Sequence, residues 1–116
     1  MKKARFYWRS TCSTCRNARE FLRSELKVEL EERDYAKAPF TVAELREIFA
    51  KHDPRDFLNP KSPNFKAMGL TGRQLSAQEA IKLAAEDSRI IKRPLTAVGG
   101  RLIAGFDKEA LRKAFT

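Results

Sequence analysis

Histidine and cysteine are scarce in this 116-residue chain: His52 is the only histidine, and Cys12 and Cys15 are the only cysteines. A closed tetrahedral zinc site needs four such ligands, so one chain cannot build one. Two cysteines also fall short of the dense disulfide framework of a small secreted domain. Uninterrupted apolar runs last only a few residues, against the roughly 20 that a membrane-spanning helix needs. No membrane association is expected. No helix-turn-helix, RNA-recognition motif or basic tract interleaved with aromatics occurs, so direct nucleic-acid binding is not expected either. The opening Met1-Lys2-Lys3-Ala4-Arg5 lacks the apolar core of a signal peptide. A cytoplasmic protein is expected, in a compartment where thiols stay reduced and a disulfide is catalytic or sensing.

What is present reads as one globular domain, with 42% hydrophobic and 34% charged residues. The net charge of +9 is unevenly spread. Residues 1–40 carry +4, residues 41–87 carry none, and residues 88–116 carry +5. The basic excess therefore belongs to the two end segments. It serves solubility or supplies a local field for an anion.

The chain order follows from periodicity and caps. Ala4, Phe6 and Trp8 alternate with Arg5, Tyr7 and Arg9, the two-residue period of a strand. Cys15, Ala18, Phe21, Leu22 and Leu26 then recur at helical steps. Val28 and Leu30 mark a second strand ending near Tyr35, which makes a strand–helix–strand unit of a parallel pair. Thr41-Val42-Ala43-Glu44 and Ser76-Ala77-Gln78-Glu79 are capping boxes. The first starts a helix with Leu45, Ile48, Phe49 and His52 on one face; the second starts a helix through about Glu86. Between them lies a proline-broken stretch with a short helical turn over 64–68. Residues 40–87 thus form a helical insertion between core halves 1–39 and 88–116. Leu95–Val98 and Arg101–Ala104, joined by Gly99-Gly100, predict an antiparallel hairpin, and Asp107 caps a last helix.

The chemistry concentrates in Thr11-Cys12-Ser13-Thr14-Cys15-Arg16. Cys12 falls at or just before the first helical turn, with Cys15 one turn in on the same side. Free N–H groups and the positive end of the helix dipole favour an anion there, and Arg9 and Arg16 add positive charge. Cys12 is the candidate nucleophile and Cys15 its partner. Two inert buried thiols, or a metal shared between subunits, remain as alternatives. His52 reads as a boundary residue near a helix end.

This order resembles a thioredoxin fold, and more narrowly the arsenate reductase and Spx-type family. The resemblance runs from Phe6 to Phe115. It rests on Cys12-Ser13-Thr14-Cys15-Arg16-Asn17, Leu58-Asn59-Pro60-Lys61, Ile91-Lys92-Arg93-Pro94-Leu95 and the glycine-rich hairpin. It implies an α/β, thioredoxin-like fold: a mixed four-stranded sheet with the helical insertion between the second and third strands. It also implies a cis Pro94 facing the cysteines. In the glutaredoxin-coupled arsenate reductases a first cysteine attacks arsenate and three arginines bind the oxyanion. The matching positions here are Cys12 for the nucleophile, Arg93 for one arginine, and Lys61 at or near a second. A lysine gives a point charge in place of a bidentate fork, so oxyanion binding would be weaker or differently shaped. The third position lies near Phe106, and Arg101 is the nearest candidate. Thr11, Arg16 and Pro94 complete the expected substrate-binding set.

Those enzymes lack a cysteine at position 15, whereas Spx-type regulators carry the pair. The resemblance therefore implies a thiol–disulfide oxidoreductase with Cys15 as resolving thiol. Its electrons would come from glutathione, glutaredoxin or thioredoxin, with no bound cofactor or metal, and it would act as a monomer. The alternatives are a redox-switched regulator that binds the RNA polymerase alpha subunit, or a glutathione-binding protein without efficient catalysis.

Overall fold

The computed structural model describes residues 2–115. They fall into two compact units, Met1–Ala38 with Arg93–Thr116, and Pro39–Lys92.

The first unit holds a four-stranded sheet of order β2-β1-β3-β4, formed by β1 (Lys2–Trp8), β2 (Val28–Asp34), β3 (Leu95–Val98) and β4 (Arg101–Ala104). β1 pairs in parallel with β2 and antiparallel with β3, and β3 pairs antiparallel with β4. This mixed α/β sheet, its first two strands joined through a helix and its third and fourth through a hairpin, is a thioredoxin-like fold. The parallel register sets Lys3 opposite Glu29 and Arg5 opposite Glu31, and both pairs form exposed ion pairs at 3.8 and 3.6 Å. Such pairs help fix register more than stability. Tyr7 is buried along with Ala4 and Phe6, so the alternation in β1 understates burial in a strand that lies inside the sheet.

Helix α1 (Ser13–Glu20) leads into a π-helical turn over Phe21–Glu25, in which Leu26 N–H donates to Phe21 O at 3.2 Å. The expected single helix to Leu26 therefore ends on a widened turn. Lys27, at φ 56°, turns the chain into β2. Glycine is the usual residue in that left-handed conformation, so the sequence carries no sign of the stop. The apolar stripe is nevertheless the expected one. Ala18, Phe21 and Leu22 join Ala4, Phe6, Val28, Leu111 and Phe115 in one buried cluster. The last two belong to and follow α5 (Lys108–Ala114), whose N-cap Asp107 accepts from Ala110 N–H at 3.1 Å. Phe6 is fully buried in this cluster. Phe6→Ala should lower unfolding free energy by about 3–5 kcal/mol, measured by urea denaturation.

The second unit contains α2 (Val42–Ile48), a 3₁₀ turn (Pro54–Phe57), α3 (Pro63–Ala67), α4 (Ala77–Glu86) and a second 3₁₀ turn (Ser88–Ile90). Both expected capping boxes are formed, on Thr41 and on Ser76. Helix α2 ends at Ile48, short of the row that runs on to His52; His52 sits edge-on to Phe57, with ring centroids 5.8 Å apart. The unit extends beyond residue 87 because the chain returns on itself. Leu58 bridges Ile91, Asn59 N–H donates to Ile90 O at 2.7 Å, and Lys92 N–H donates to Phe57 O at 2.8 Å. That pairing joins stretches over thirty residues apart, beyond the reach of periodicity. Among the described residues, no helix is long and apolar enough to cross a membrane.

Candidate active site

The carboxyl ends of two parallel strands form the usual rim for a ligand site in an α/β sheet, and here the β1 end leads into the cysteine loop. Cys12 is the N-cap of α1, with extended backbone (φ −90°, ψ 120°). Its N–H donates to Arg9 O at 3.0 Å, and its C=O accepts from Arg16 N–H at 3.0 Å, so it belongs to a turn on one side and to the helix on the other. The N–H groups of Cys15 and Thr14 face its sulfur without closing a tight cap hydrogen bond. Cys12 is partly exposed; Cys15, one turn along, is fully buried.

That difference in exposure separates the two thiols. Burial pushes the Cys12 thiol up, but the Cys15 N–H, the Cys15 thiol donating toward it, the Arg93 charge and the Thr14 N–H together pull it below the ordinary value. Burial drives Cys15 the other way, to about 12. The Arg9 N–H and the Arg93 charge oppose that rise, while its neighbour Cys12 adds to it. One sulfur is therefore partly exposed and prone to ionise, and the other is enclosed and held as a thiol.

Arg93 reaches this site through the hairpin. The register places Leu95 opposite Tyr7, so the two residues before Leu95 lie level with the start of the cysteine loop. The Arg93–Pro94 peptide is cis, as the resemblance implies, and Pro94 is buried with its C=O accepting from Gly105 N–H at 2.8 Å. Arg101 is a correction to the expected anion set. It pairs with Val98 at the opposite end of the hairpin from Leu95 and Ala104, a separation of roughly 10 Å along the strand.

The other expected residues are placed unequally. Thr11 is exposed in the turn before Cys12. Arg16 is exposed on α1, and its Nη1 donates to Ser10 O at 2.9 Å, so part of its guanidinium is spent on the loop itself. Lys61 belongs to the Pro39–Lys92 unit, where it is exposed in a turn and its N–H donates to Asn59 Oδ1 at 3.1 Å. The structure thus brings Cys12, Cys15 and Arg93 together, with Thr11 and Arg16 at the edge. Among the described residues, no three of His, Cys, Asp and Glu converge as a metal site would require.

Tyr35 is the residue that sequence reasoning missed. It is fully buried just beyond β2, its N–H donates to Trp8 O at 3.0 Å, and the Arg9 guanidinium lies 5.7 Å from its ring centre. Burial raises its phenol well above the ordinary value, and the Cys15 charge adds to this, while Arg93 and Arg9 oppose it. The one available sign was a tyrosine next to Asp34 at a strand end, which by itself says nothing about sulfur.

Comparison with known proteins gives a consistent picture. Residues 7–114 match the ArsC family. The chain is 32% identical over 108 residues to the uncharacterised protein YusI of Bacillus subtilis, covering 90% of this chain and 91% of that one. It is 28% identical over 109 residues to the global transcriptional regulator Spx 2 of Bacillus anthracis, covering 92% and 82%. Among solved structures, a possible arsenate reductase from Streptococcus mutans superposes with a TM-score of 0.75 at 31% identity, covering 94% of this chain and 97% of that one.

Proposed function

The chain belongs to the ArsC family, and from that premise we propose that it is a thiol–disulfide oxidoreductase in which Cys12 captures the substrate and Cys15 releases it. The observation that carries this reading is the opposed setting of the two sulfurs. The partly exposed one is biased toward thiolate at a helix N-terminus beside Arg93, and the buried one is biased toward thiol.

The steps follow from that difference. The Cys12 thiolate attacks the sulfur of a substrate disulfide, forming a mixed disulfide and expelling a thiolate that takes up a proton. Capture removes the negative charge on Cys12. With it goes one of the influences that keep Cys15 protonated, while the Arg9 N–H and the Arg93 charge remain to favour the anion. Cys15 then loses its proton to solvent and attacks Cys12 Sγ. This closes the Cys12–Cys15 disulfide and releases the second substrate thiolate, so two electrons pass to the substrate. Two glutathione thiols, or one dithiol of glutaredoxin or thioredoxin, return them. Arsenate would enter the same cycle as an oxyanion esterified to Cys12. With a lysine at 61 in place of the second arginine and Arg101 at the far end of its hairpin, this chain departs from the three-arginine oxyanion set, which favours sulfur substrates.

The test is protein-dependent NADPH oxidation, with hydroxyethyl disulfide or arsenate coupled through glutathione and glutathione reductase. Glutathione disulfide is coupled only through thioredoxin and thioredoxin reductase, because glutathione reductase consumes that disulfide unaided. Turnover with either reductant supports the enzyme; none with either overturns it. Arg93→Ala should lower kcat/KM for anionic glutathione disulfide by about 10- to 100-fold, the worth of a hydrogen bond to a charged group. A neutral hydroxyethyl disulfide should be affected much less.

The likeness to Spx 2 favours a second reading, in which the Cys12–Cys15 disulfide is a switch and the partner is the RNA polymerase alpha subunit. Pull-down of the alpha C-terminal domain under oxidising and reducing conditions tests it. Retention that depends on redox state supports the switch, and no retention in either state overturns it. Glutathione binding without turnover in the same assays would mark the third alternative, a family member without efficient catalysis.

A further inference from the structure

The loop that carries Cys12 is held by groups that take no part in the steps above. Asp34 ends β2 and stands opposite Trp8 in the parallel register, two residues before Ser10. Its Oδ2 accepts from Ser10 Oγ at 2.6 Å and lies 3.4 Å from Ser10 N, while its Oδ1 accepts from Ala36 N–H at 3.0 Å. On the other side of the same residue, Ser10 O accepts from Arg16 Nη1 at 2.9 Å. The turn from Arg9 to Cys12 then closes at 3.0 Å. Ser10 is therefore gripped by the strand end on one side and by α1 on the other. Two peptides later the chain must deliver the Cys12 sulfur to the α1 amides.

We propose that Asp34 is a positioning residue for Cys12: by holding Ser10 it fixes the Arg9–Cys12 turn, and so keeps the Cys12 sulfur over the N-terminal N–H groups of α1. The proposal rests on Cys12 being the nucleophile but requires no substrate. Its sign is distinctive. Partial burial opposes ionisation of Asp34, but the donors on Ser10 and Ala36 hold its carboxyl below the usual carboxylate range, so it is an anion at neutral pH. If Asp34 acted only as a charge, its removal would make Cys12 easier to ionise. If it acts as a clamp, its removal frees the sulfur from the helix N–H groups and makes ionisation harder. The charged and titratable groups that face Cys12 are Cys15, Arg93 and Tyr35, and none of the substitutions below alters them.

The experiment is the pH dependence of Cys12 alkylation by iodoacetamide in the reduced full-length protein, resolved by peptide mass spectrometry. Asp34→Ala and Ser10→Ala should each raise the midpoint by about one pH unit, an approximately tenfold slower reaction at pH 7. The double variant should go no further than Asp34→Ala, which by itself already removes the Ser10 Oγ bond. Asp34→Asn keeps an oxygen acceptor for Ser10 Oγ and should stay near the wild-type midpoint. Ser10→Ala leaves the Asp34 bond to Ala36 intact, so it reads the clamp even if Asp34→Ala folds poorly. A midpoint that falls or stays put in Asp34→Ala, or an unmoved Ser10→Ala, overturns the clamp. Turnover is scored separately. Shifted midpoints in a protein without turnover keep the clamp and lose the reductase, and unmoved midpoints in an active enzyme do the reverse.

Discussion

Cys12→Ser should reduce reductase-coupled turnover by on the order of 10³-fold or more, whereas Cys15→Ser should leave capture intact and block release. Serine at the N-cap satisfies the helix amides at least as well as cysteine, so folding should be unharmed. It offers no thiolate, however, and thiol–disulfide exchange has no other entry. In Cys15→Ser, the first half-reaction should run to a single stable adduct. Incubation with glutathione disulfide should therefore give a protein heavier by one glutathione, released only by added thiol. Turnover would then continue slowly through the external thiol alone. The two variants fail at different points, so intact mass together with NADPH consumption reads both assignments in one experiment. Activity within threefold of wild type in Cys12→Ser would remove the reaction from this site. An adduct that forms only on Cys15 would exchange the roles, against the burial that encloses Cys15 entirely.

How much of this was legible in the sequence depended on whether the information was local. The Cys12 N-cap, the capping boxes on Thr41 and Ser76, the Asp107 cap and the Gly99-Gly100 hairpin each depend on a few adjacent residues, and each formed as expected. Lys27 supplied a helix stop with no glycine to announce it. The mixed sheet was reached by resemblance, because periodicity cannot order strands. Tyr35 and Asp34 stayed hidden for the same reason. Their roles come from lying beside a loop some twenty-four residues away in sequence, and the expected parallel pairing carried no register to set Asp34 level with Trp8. Arg101 shows the reverse error. An arginine close in sequence to the expected position lies at the wrong end of its hairpin, because each residue along a strand carries it about 3.3 Å further away.

Reduced protein should lose stability steeply above pH 8.5, and two buried groups should account for most of the loss. Cys15 has a folded value of about 12, against about 8.5 in an unfolded chain. An acid whose pKa is raised by folding binds its proton more tightly in the native state, so its contribution is fully present below the unfolded value and drains away as pH rises toward the folded one. Between those limits it costs about 1.4 kcal/mol per pH unit. Tyr35 is also raised, and its unfolded value is about 10, so its loss begins later and roughly doubles the slope above that pH. Cys12 has the opposite sign. Its lowered pKa adds stability as pH rises to about 8.5 and changes nothing beyond. The maximum should therefore lie near pH 8, with a loss of about 3 kcal/mol by pH 10.5 from the two buried groups. Urea denaturation at pH 8.5, 9.5 and 10.5 under reductant measures it. Cys15→Ala should flatten the first interval, and Tyr35→Phe only the second. Equal slopes in wild type and both variants would mean that the alkaline loss comes from elsewhere, and that the enclosed thiol ionises as freely as an exposed one.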